Sequence, residues 1–189
     1  MKKTFNVFLI SLISLNFFIG IQSFALTPDP IENYRLSAGK IEFFAVGKPS
    51  MLKVHGTGKS LDGSLNKNND EVTGHFTVKM DDFSSGLSLR DSHTKSKVFD
   101  VEHFPTAEFT LKSIKPKSNV KTKFVGVLKF HGIEKEVQGD TTMNITPDKM
   151  GFESTFTILL SDFNIQPPEF AGMKINNEVS VEVSGEAAK

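Results

Sequence analysis

The sequence predicts an all-β domain whose antiparallel strands form a closed barrel or a sandwich. Apolar and polar residues alternate with a period of two over most strand-length segments, which is typical of strands with one buried face. Gly, Pro, Asn and Asp mark the connections between these segments, and most connections are short. Parallel neighbours would need crossovers of a dozen or more residues, so antiparallel pairing is favoured.

Eight strands are predicted from residue 40 onward. They cover 40–46, 51–65, 72–80, 107–112, 123–130, 137–145, 152–160 and 179–184. Turn signals at 47–50, 66–70, 147–149 and Gly132 separate several of them. In the last six strands one row of side chains is apolar or small, and it includes Phe76, Phe109, Phe124 and Phe156. In a barrel surrounded by water this row faces inward.

Two segments depart from the strand pattern. Residues 87–99 have helical composition and end before Pro105, so a short helix is predicted there. Residues 161–177 contain Pro167-Pro168 and Gly172 and are predicted to form a long irregular loop, of the kind that often serves as a lid.

The first 25 residues have the pattern of a cleaved secretory signal. Two lysines at positions 2 and 3 precede an apolar run, and the small residues of Ser23-Phe24-Ala25 suit a signal peptidase. The alternative is an uncleaved anchor helix, because the run is nearly long enough to span a bilayer. The folded domain is predicted to comprise residues 26–189.

The composition excludes several classes of protein. The 22 basic and 22 acidic residues balance, which argues against a basic nucleic-acid-binding domain. The chain has no Cys, so it forms no disulfide, thiolate metal site or catalytic thiolate. The 18 Phe against one Tyr and no Trp favour large buried apolar surfaces without polar handles.

The predicted interior suits an apolar ligand. An eight-stranded barrel is filled by side chains or holds one small ligand. Gly74, Gly126, Gly139 and Ser154 fall on the inward rows, where they either leave room among the Phe rings or mark bulges and bends. Because the inward rows lack fixed charge, they match a lipid tail, which needs apolar area and few hydrogen bonds.

No catalytic or metal-binding constellation is found. The five His residues form no HExxH or i, i+4 pair, and His93 and His103 are more readily structural or surface residues than metal ligands. A GxSxG nucleophile elbow and nucleotide-binding glycine motifs are absent from the sequence. The densest polar cluster is Arg90-Asp91-Ser92-His93, followed by Asp100 and Glu102. It is either an exposed helix start with capping and ion pairs, or the polar end of the barrel that positions a ligand.

Three stretches carry a resemblance to a known family. The first comprises Arg90-Asp91-Ser92-His93, Ser96, Phe99-Asp100, Pro105, Phe109 and Ser113. The second comprises Gly126-Val127-Leu128, His131-Gly132 and Lys135-Glu136-Val137, and the third is Ser161-Asp162-Phe163-Asn164-Ile165. Together they span most of the chain, from about Tyr34 to Glu186, and in this combination the chain resembles the YceI-like family of exported lipid-binding proteins.

The sequence departs from the family pattern at three points. Gly47-Lys48 lies near the position where the family has a His on its first long strand. Thr94 follows His93 where an apolar residue is usual, and Asn164 stands where the family has Gly.

The resemblance implies an antiparallel eight-stranded, lipocalin-like β-barrel with a short helix and a long loop near its ends. It also implies that the barrel holds a long isoprenoid or another amphiphilic lipid, such as a quinone tail, in the bacterial periplasm. The family has no established catalytic residues, and homodimers are common in it. The predicted lining residues are Phe43, Phe76, Val78, Phe99, Phe109, Phe124, Leu128, Phe156 and Phe163, with Arg90, Asp91 and His93 at the polar end of the site.

The function predicted from the sequence is that of an exported protein that stores or carries such a lipid. The alternative is a non-catalytic envelope domain that binds a protein through the 161–177 loop, where Phe163, Phe170 and Met173 would expose an apolar patch. A lipid hydrolase or isomerase is not favoured, because the sequence contains no catalytic constellation. A transmembrane barrel is not favoured either, because such barrels have girdles of Trp and Tyr and this chain has one Tyr and no Trp.

Overall fold

The structure, a computed structural model, describes residues 30–48, 52–170 and 172–189. The predicted signal segment, residues 1–25, lies outside the described residues. The strands are β1 Glu32–Lys48, β2 Lys53–Gly58, β3 Asp62–Asn68, β4 Glu71–Lys79, β5 Thr106–Ile114, β6 Lys121–Phe130, β7 Ile133–Ile145, β8 Lys149–Leu159, β9 Glu169–Phe170 and β10 Met173–Ala188. Helix α1, Ser88–His93, continues as the π-helical segment Thr94–Phe99, and 3₁₀ turns form at Met80–Asp82 and Leu160–Phe163.

Eight of these strands close into an antiparallel barrel. The hydrogen-bonded order is β1-β3-β4-β5-β6-β7-β8-β10, and pairing of β10 with β1 completes the ring. Strand β2 adds to β1 and the two-residue β9 adds to β10. The predicted barrel with a short helix is therefore confirmed. Closure leaves few unpaired backbone groups at sheet edges, which suits strands joined by short connections.

The 17-residue strand β1 organises one side of the barrel. It pairs with β10 along nearly its whole length, from Arg35 to Lys48. Its other edge pairs first with β3 and then with β2, because residues 59–61 leave the strand conformation and separate β2 from β3. The carboxylate of Asp82 accepts hydrogen bonds from the backbone amides of Lys59 and Ser60, at 2.5 and 2.7 Å.

This interruption corrects the prediction of one strand over 51–65. Asp82 comes from the turn after β4, so its effect on residues 59–61 is a tertiary contact that strand periodicity does not contain. Just beyond it, Ser84 exchanges two backbone hydrogen bonds with Thr57 of β2. The segment 80–105 thus replaces a strand as the wall beside β2.

The predicted inward rows do face inward. In β4 the buried residues are Val72, Gly74, Phe76 and Val78, and the residues between them are more exposed. The same alternation places Phe124 and Leu128 of β6 inside. The interior divides into two apolar clusters, each named here by its end of the barrel. The lower cluster surrounds Tyr34 and Met150 near the 146–148 turn, and the upper cluster lies beneath α1.

Glycines on the inward rows hold phenylalanine rings. A Cβ added to Gly126 would lie 2.2 Å from Cζ of Phe109, and one added to Gly139 would lie 2.7 Å from Cε1 of Phe124. The expectation that these glycines leave room for a ligand, or mark bulges, is therefore wrong for this pair. At both glycines, the space that a Cβ would need is occupied by the ring of a Phe on the neighbouring strand.

The connections at the upper end agree in part with the predictions. The predicted helix over 87–99 is present. The predicted irregular loop over 161–177 is shorter, because β10 begins at Met173 and its next two residues pair with β1. Asn164 follows the second 3₁₀ turn with φ = 57° and ψ = 25°, a left-handed conformation that Gly and Asn adopt most readily.

Candidate functional site

An apolar cavity of about 570 Å³ occupies the upper half of the barrel. This volume lies within the range of about 300–1,000 Å³ for small-molecule sites. Its barrel walls come from β1, β2, β4 to β6, β8 and β10, and the helical segment closes one side. The apolar lining residues are Ile41, Phe43, Ala45, Leu52, Val54, Val78, Met80, Phe83, Leu87, Leu89, Val98, Phe99, Ala107, Leu128, Phe130, Phe156, Ile158, Leu160, Pro168, Met173, Ile175, Val179 and Val181.

The polar lining residues all lie in one short stretch of chain. They are Ser88, Arg90, His93 and Thr94, on α1 and the first residue after it. The cavity is therefore apolar along its length and polar at one side of its helical end. This distribution matches a molecule with a long apolar part and one polar end.

The mouth of the cavity carries exposed apolar side chains. Leu87 and Leu89 contribute to its lining, yet 58% and 72% of their surfaces are exposed. Leu52, Pro168 and Met173, which line the same cavity, are only partly buried. Through these residues the apolar surface continues from the cavity wall to the outside of the molecule, next to the polar residues of α1.

A network around Asp91 fixes the chain that leads into α1. The Asp91 carboxylate accepts hydrogen bonds from the Ser84 hydroxyl and the Ser85 backbone amide, both at 2.8 Å, and from the Ser85 hydroxyl. Arg90 donates from Nε to the Ser85 hydroxyl at 2.7 Å and from a terminal nitrogen to the Ser85 carbonyl at 2.9 Å.

These contacts have a net effect on the carboxyl group of Asp91. Partial burial raises its pKa, but the hydrogen bonds from Ser85 and Ser84 favour the charged form more strongly. The pKa of Asp91 therefore lies below its ordinary value. Its oxygens accept hydrogen bonds from residues 84 and 85, so Asp91 supports the start of the helix. Of the three residues predicted for the polar end, Arg90 and His93 line the cavity and Asp91 does not.

An aromatic group forms the wall beneath the helix. Phe99 packs against Phe43, Phe83 and Phe130, with ring centroids 5.6–6.1 Å apart. All three pairs are edge-to-face, a geometry that aromatic pairs prefer. Phe99 is held at this position because Asp100 adopts φ = 48° and ends the π-helical segment, with its amide bonded to the Lys95 carbonyl.

The predicted lining residues divide among three places. Phe43, Val78, Phe99, Leu128 and Phe156 line the upper cavity. Phe76, Phe109 and Phe124 lie in the lower half, around a space of about 90 Å³ that Val78, Leu128 and Phe156 also border. Phe163 borders neither space; it is 1% exposed and packs against Phe130 at 5.4 Å.

Several lining residues were not among the predicted site residues. Phe130, Val179 and Val181 belong to apolar rows that the alternation had identified, so the sequence contained their signal. Phe83 belongs to no such row. It follows the turn after β4 and reaches the cavity wall only because of the path that segment 80–105 takes.

Other polar groups lie away from the cavity. His103 does not line it and bonds Asp100 at 2.9 Å; this hydrogen bond and the Asp100 charge raise the pKa of His103. Among residues 30–48, 52–170 and 172–189, no group of three or more His, Asp or Glu side chains is arranged to hold a metal ion. None of the helices in that part of the chain is long and apolar enough to cross a membrane.

The closed barrel and its apolar interior place this protein among β-barrels that enclose a cavity large enough for one small ligand. The chain belongs to the YceI-like domain family, whose model matches residues 34–187. Among curated proteins, a UPF0312 protein of Pseudomonas fluorescens is 30% identical over 139 residues, which cover 68% of this chain and 72% of the relative. A UPF0312 protein of Pseudomonas putida is 29% identical with the same coverage.

Solved structures share the fold at low sequence identity. The chain is similar to BcnA of Burkholderia cenocepacia, with a TM-score of 0.69 and 18% identity over 79% of this chain and 96% of that one. It is also similar to a polyisoprenoid binding domain from Saccharophagus degradans implicated in plant cell wall breakdown, with a TM-score of 0.66 and 13% identity. That match covers 82% of this chain and 97% of the other. At these identities the likeness establishes a common barrel.

Proposed function

We propose that this protein binds one long-chain isoprenoid or a similar amphiphilic lipid inside the upper cavity and stores or carries it. The observation that carries the proposal is the separation of polarity in the lining, with every polar side chain between residues 88 and 94. An apolar chain would lie along the barrel axis and its polar end would meet Arg90 or His93. Support also comes from the fold shared with a polyisoprenoid binding domain.

The cavity can supply the required affinity. Burial of several isoprene units at ~0.8 kcal/mol per CH₂ gives on the order of ten kcal/mol before the costs of association. Those costs are several kcal/mol or more, so a ligand that fills the cavity retains useful affinity and a short one does not. The proposal assigns no catalytic step to the protein.

The 161–177 loop offers little support for the alternative of a protein-binding domain. Phe163 is buried and Met173 lines the cavity mouth, so neither forms a separate exposed patch. This region contributes to the entrance of the lipid site in our proposal.

A pair of neighbouring substitutions tests the proposed site. Ala45 is 6% exposed and lines the cavity, whereas the next residue, Val46, points outward and is 38% exposed. Ala45→Phe places a ring inside the cavity. Val46→Phe adds the same ring to the outer surface and is the matched control.

Native mass spectrometry with geranylgeraniol as the probe measures the result. We expect the wild type and Val46→Phe to form a one-to-one complex. Ala45→Phe should bind at least about tenfold more weakly, the equivalent of about two buried methylene groups. Unchanged binding by a folded Ala45→Phe variant would place the ligand elsewhere. A wild type that binds no isoprenoid, and yields no lipid on solvent extraction after purification from its own host, would refute the function.

Export is a separate part of the proposal. We expect cleavage after Ala25 and a mature protein of residues 26–189 in the periplasm, as the amino-terminal pattern predicts. Intact mass measurement of the protein from a periplasmic extract tests this. Recovery of the uncleaved chain from the membrane fraction would favour the anchor helix instead.

A further inference from the structure

We infer that a partition of three phenylalanine rings, Phe109, Phe124 and Phe156, limits how far an apolar chain enters the barrel and so selects ligands by length. This inference rests on the proposed function. It concerns the floor of the upper cavity, which separates it from the 90 Å³ space below.

The three rings contact one another across the barrel. Phe109 and Phe156 stack with centroids 6.2 Å apart and an interplanar angle of 17°. Phe124 meets both of them edge-on, at 5.8 and 6.1 Å. Rings from β5, β6 and β8 therefore meet in the centre of the interior. Five residues border the spaces on both sides, and Phe156 is the aromatic one among them; the others are Ile41, Val78, Ala107 and Leu128. The boundary therefore lies at the level of these residues, where the Phe156 ring is the largest group.

Two rings of the partition pack against glycines of the barrel wall. Phe109 lies over Gly126, and Phe124 lies over Gly139. Any side chain at either glycine would occupy the position of the ring, so the rings rest directly against backbone. Phe109 and Phe124 are thus fixed on one side by backbone and on the other by their ring neighbours, and Phe156 contacts both of them, so rotation of the rings out of the path of a ligand needs a concerted change.

The volumes on the two sides decide the consequence. Above the partition the cavity has about 570 Å³, and below it about 90 Å³ remains, bordered mainly by side chains of the lower apolar cluster. A chain that reaches Phe156 has nowhere further to go. Each methylene beyond that length would remain outside the mouth, in water, and add no affinity.

Phe156→Ala removes the ring that borders both spaces and should join them. The matched control is Phe152→Ala, which deletes the same side chain from β8 two inward positions away. Phe152 borders only the lower space and packs against Phe76 at 5.4 Å, so its loss enlarges that space and leaves the partition in place. Ala107→Leu works in the opposite direction, because Ala107 borders both spaces and a larger side chain there raises the floor.

The probes are linear isoprenoid alcohols that differ by one isoprene unit, compared by native mass spectrometry with each folded variant. We expect wild-type affinity to rise with length and then level off. In Phe156→Ala the levelling point moves to longer chains, with about tenfold or greater gain for the first chain beyond the wild-type limit. Phe152→Ala keeps the wild-type limit, and Ala107→Leu moves it to shorter chains.

Three outcomes would overturn the inference. They are an unchanged limit in Phe156→Ala, an equal shift in Phe152→Ala, and a wild-type affinity that never levels off. If Phe156→Ala does not fold, an unchanged limit in Ala107→Leu overturns it as well. Each of these results leaves the proposed function standing, because the wild type still binds. A wild type that binds no member of the series refutes both.

Discussion

Gly126→Ala should destabilise the barrel although it adds only one methyl group. The new Cβ would lie 2.2 Å from Cζ of Phe109, 2.3 Å from its Cε2 and 2.8 Å from the Thr110 carbonyl oxygen. The first two contacts would displace the Phe109 ring from its position over Gly126, and the third involves backbone that cannot move freely. Overpacking of this kind costs about 1–3 kcal/mol. For a chain of this size that lowers Tm by roughly 2–12 °C, at about 2–4 °C per kcal/mol.

Thermal and urea denaturation measure the loss, and Gly151→Ala is the control. A Cβ at Gly151 meets only the Cβ of Asn144, at 3.9 Å, so that variant should be neutral or slightly more stable. The double variant Gly126→Ala/Phe109→Leu removes the ring that clashes and should recover part of the loss. If Gly126→Ala is as stable as Gly151→Ala, the rings do not rest on the glycines as described.

Two further predictions concern charged groups. Hydrogen bonds from Lys189 and Lys67 lower the pKa of Glu32 from 4.5 to about 2, so its stabilising effect is complete above pH 4.5 and is lost as the pH falls through about 2. Glu32→Gln should lower Tm at pH 7 and flatten the fall of Tm over that acid range; parallel Tm curves for variant and wild type would contradict this. Asp91→Ala removes the acceptor for the amide of Ser85, so hydrogen exchange at residues 84–86 should become faster while exchange in β6 and β7 stays as slow as in the wild type. Equally fast exchange in those strands would show that Asp91 supports the whole barrel.

The positions of most strands and their inward faces could be predicted from the sequence. Alternation over residues 72–80, 123–130 and 152–160 is a local property, and a slip of one residue would have turned every Phe outward. The helix over 87–99 could also be predicted from a local signal, because its composition favours a helix and Pro105 follows its end.

The break at residues 59–61 and the early start of β10 could not be predicted in this way. Both depend on partners distant in sequence. Asp82 accepts hydrogen bonds from the amides of Lys59 and Ser60, and β1 pairs with the first residues of β10. The same holds for Phe83, which no periodic pattern marks as part of the cavity wall.

By itself the sequence determined which side chains of most strands face the inside of this barrel, because strand periodicity and residue polarity act over a few neighbouring positions. Only the tertiary structure decided where the interior is open. Phe43 and Phe124 stand on equivalent inward rows, yet one borders the 570 Å³ cavity and the other belongs to the packed lower half. Each of the two rings lies over a glycine of the next strand, so the difference arises from the rings that they meet. Phe124 contacts Phe109 and Phe156 at the centre, whereas Phe43 contacts Phe83 and Phe99, and these contacts join elements far apart in the chain.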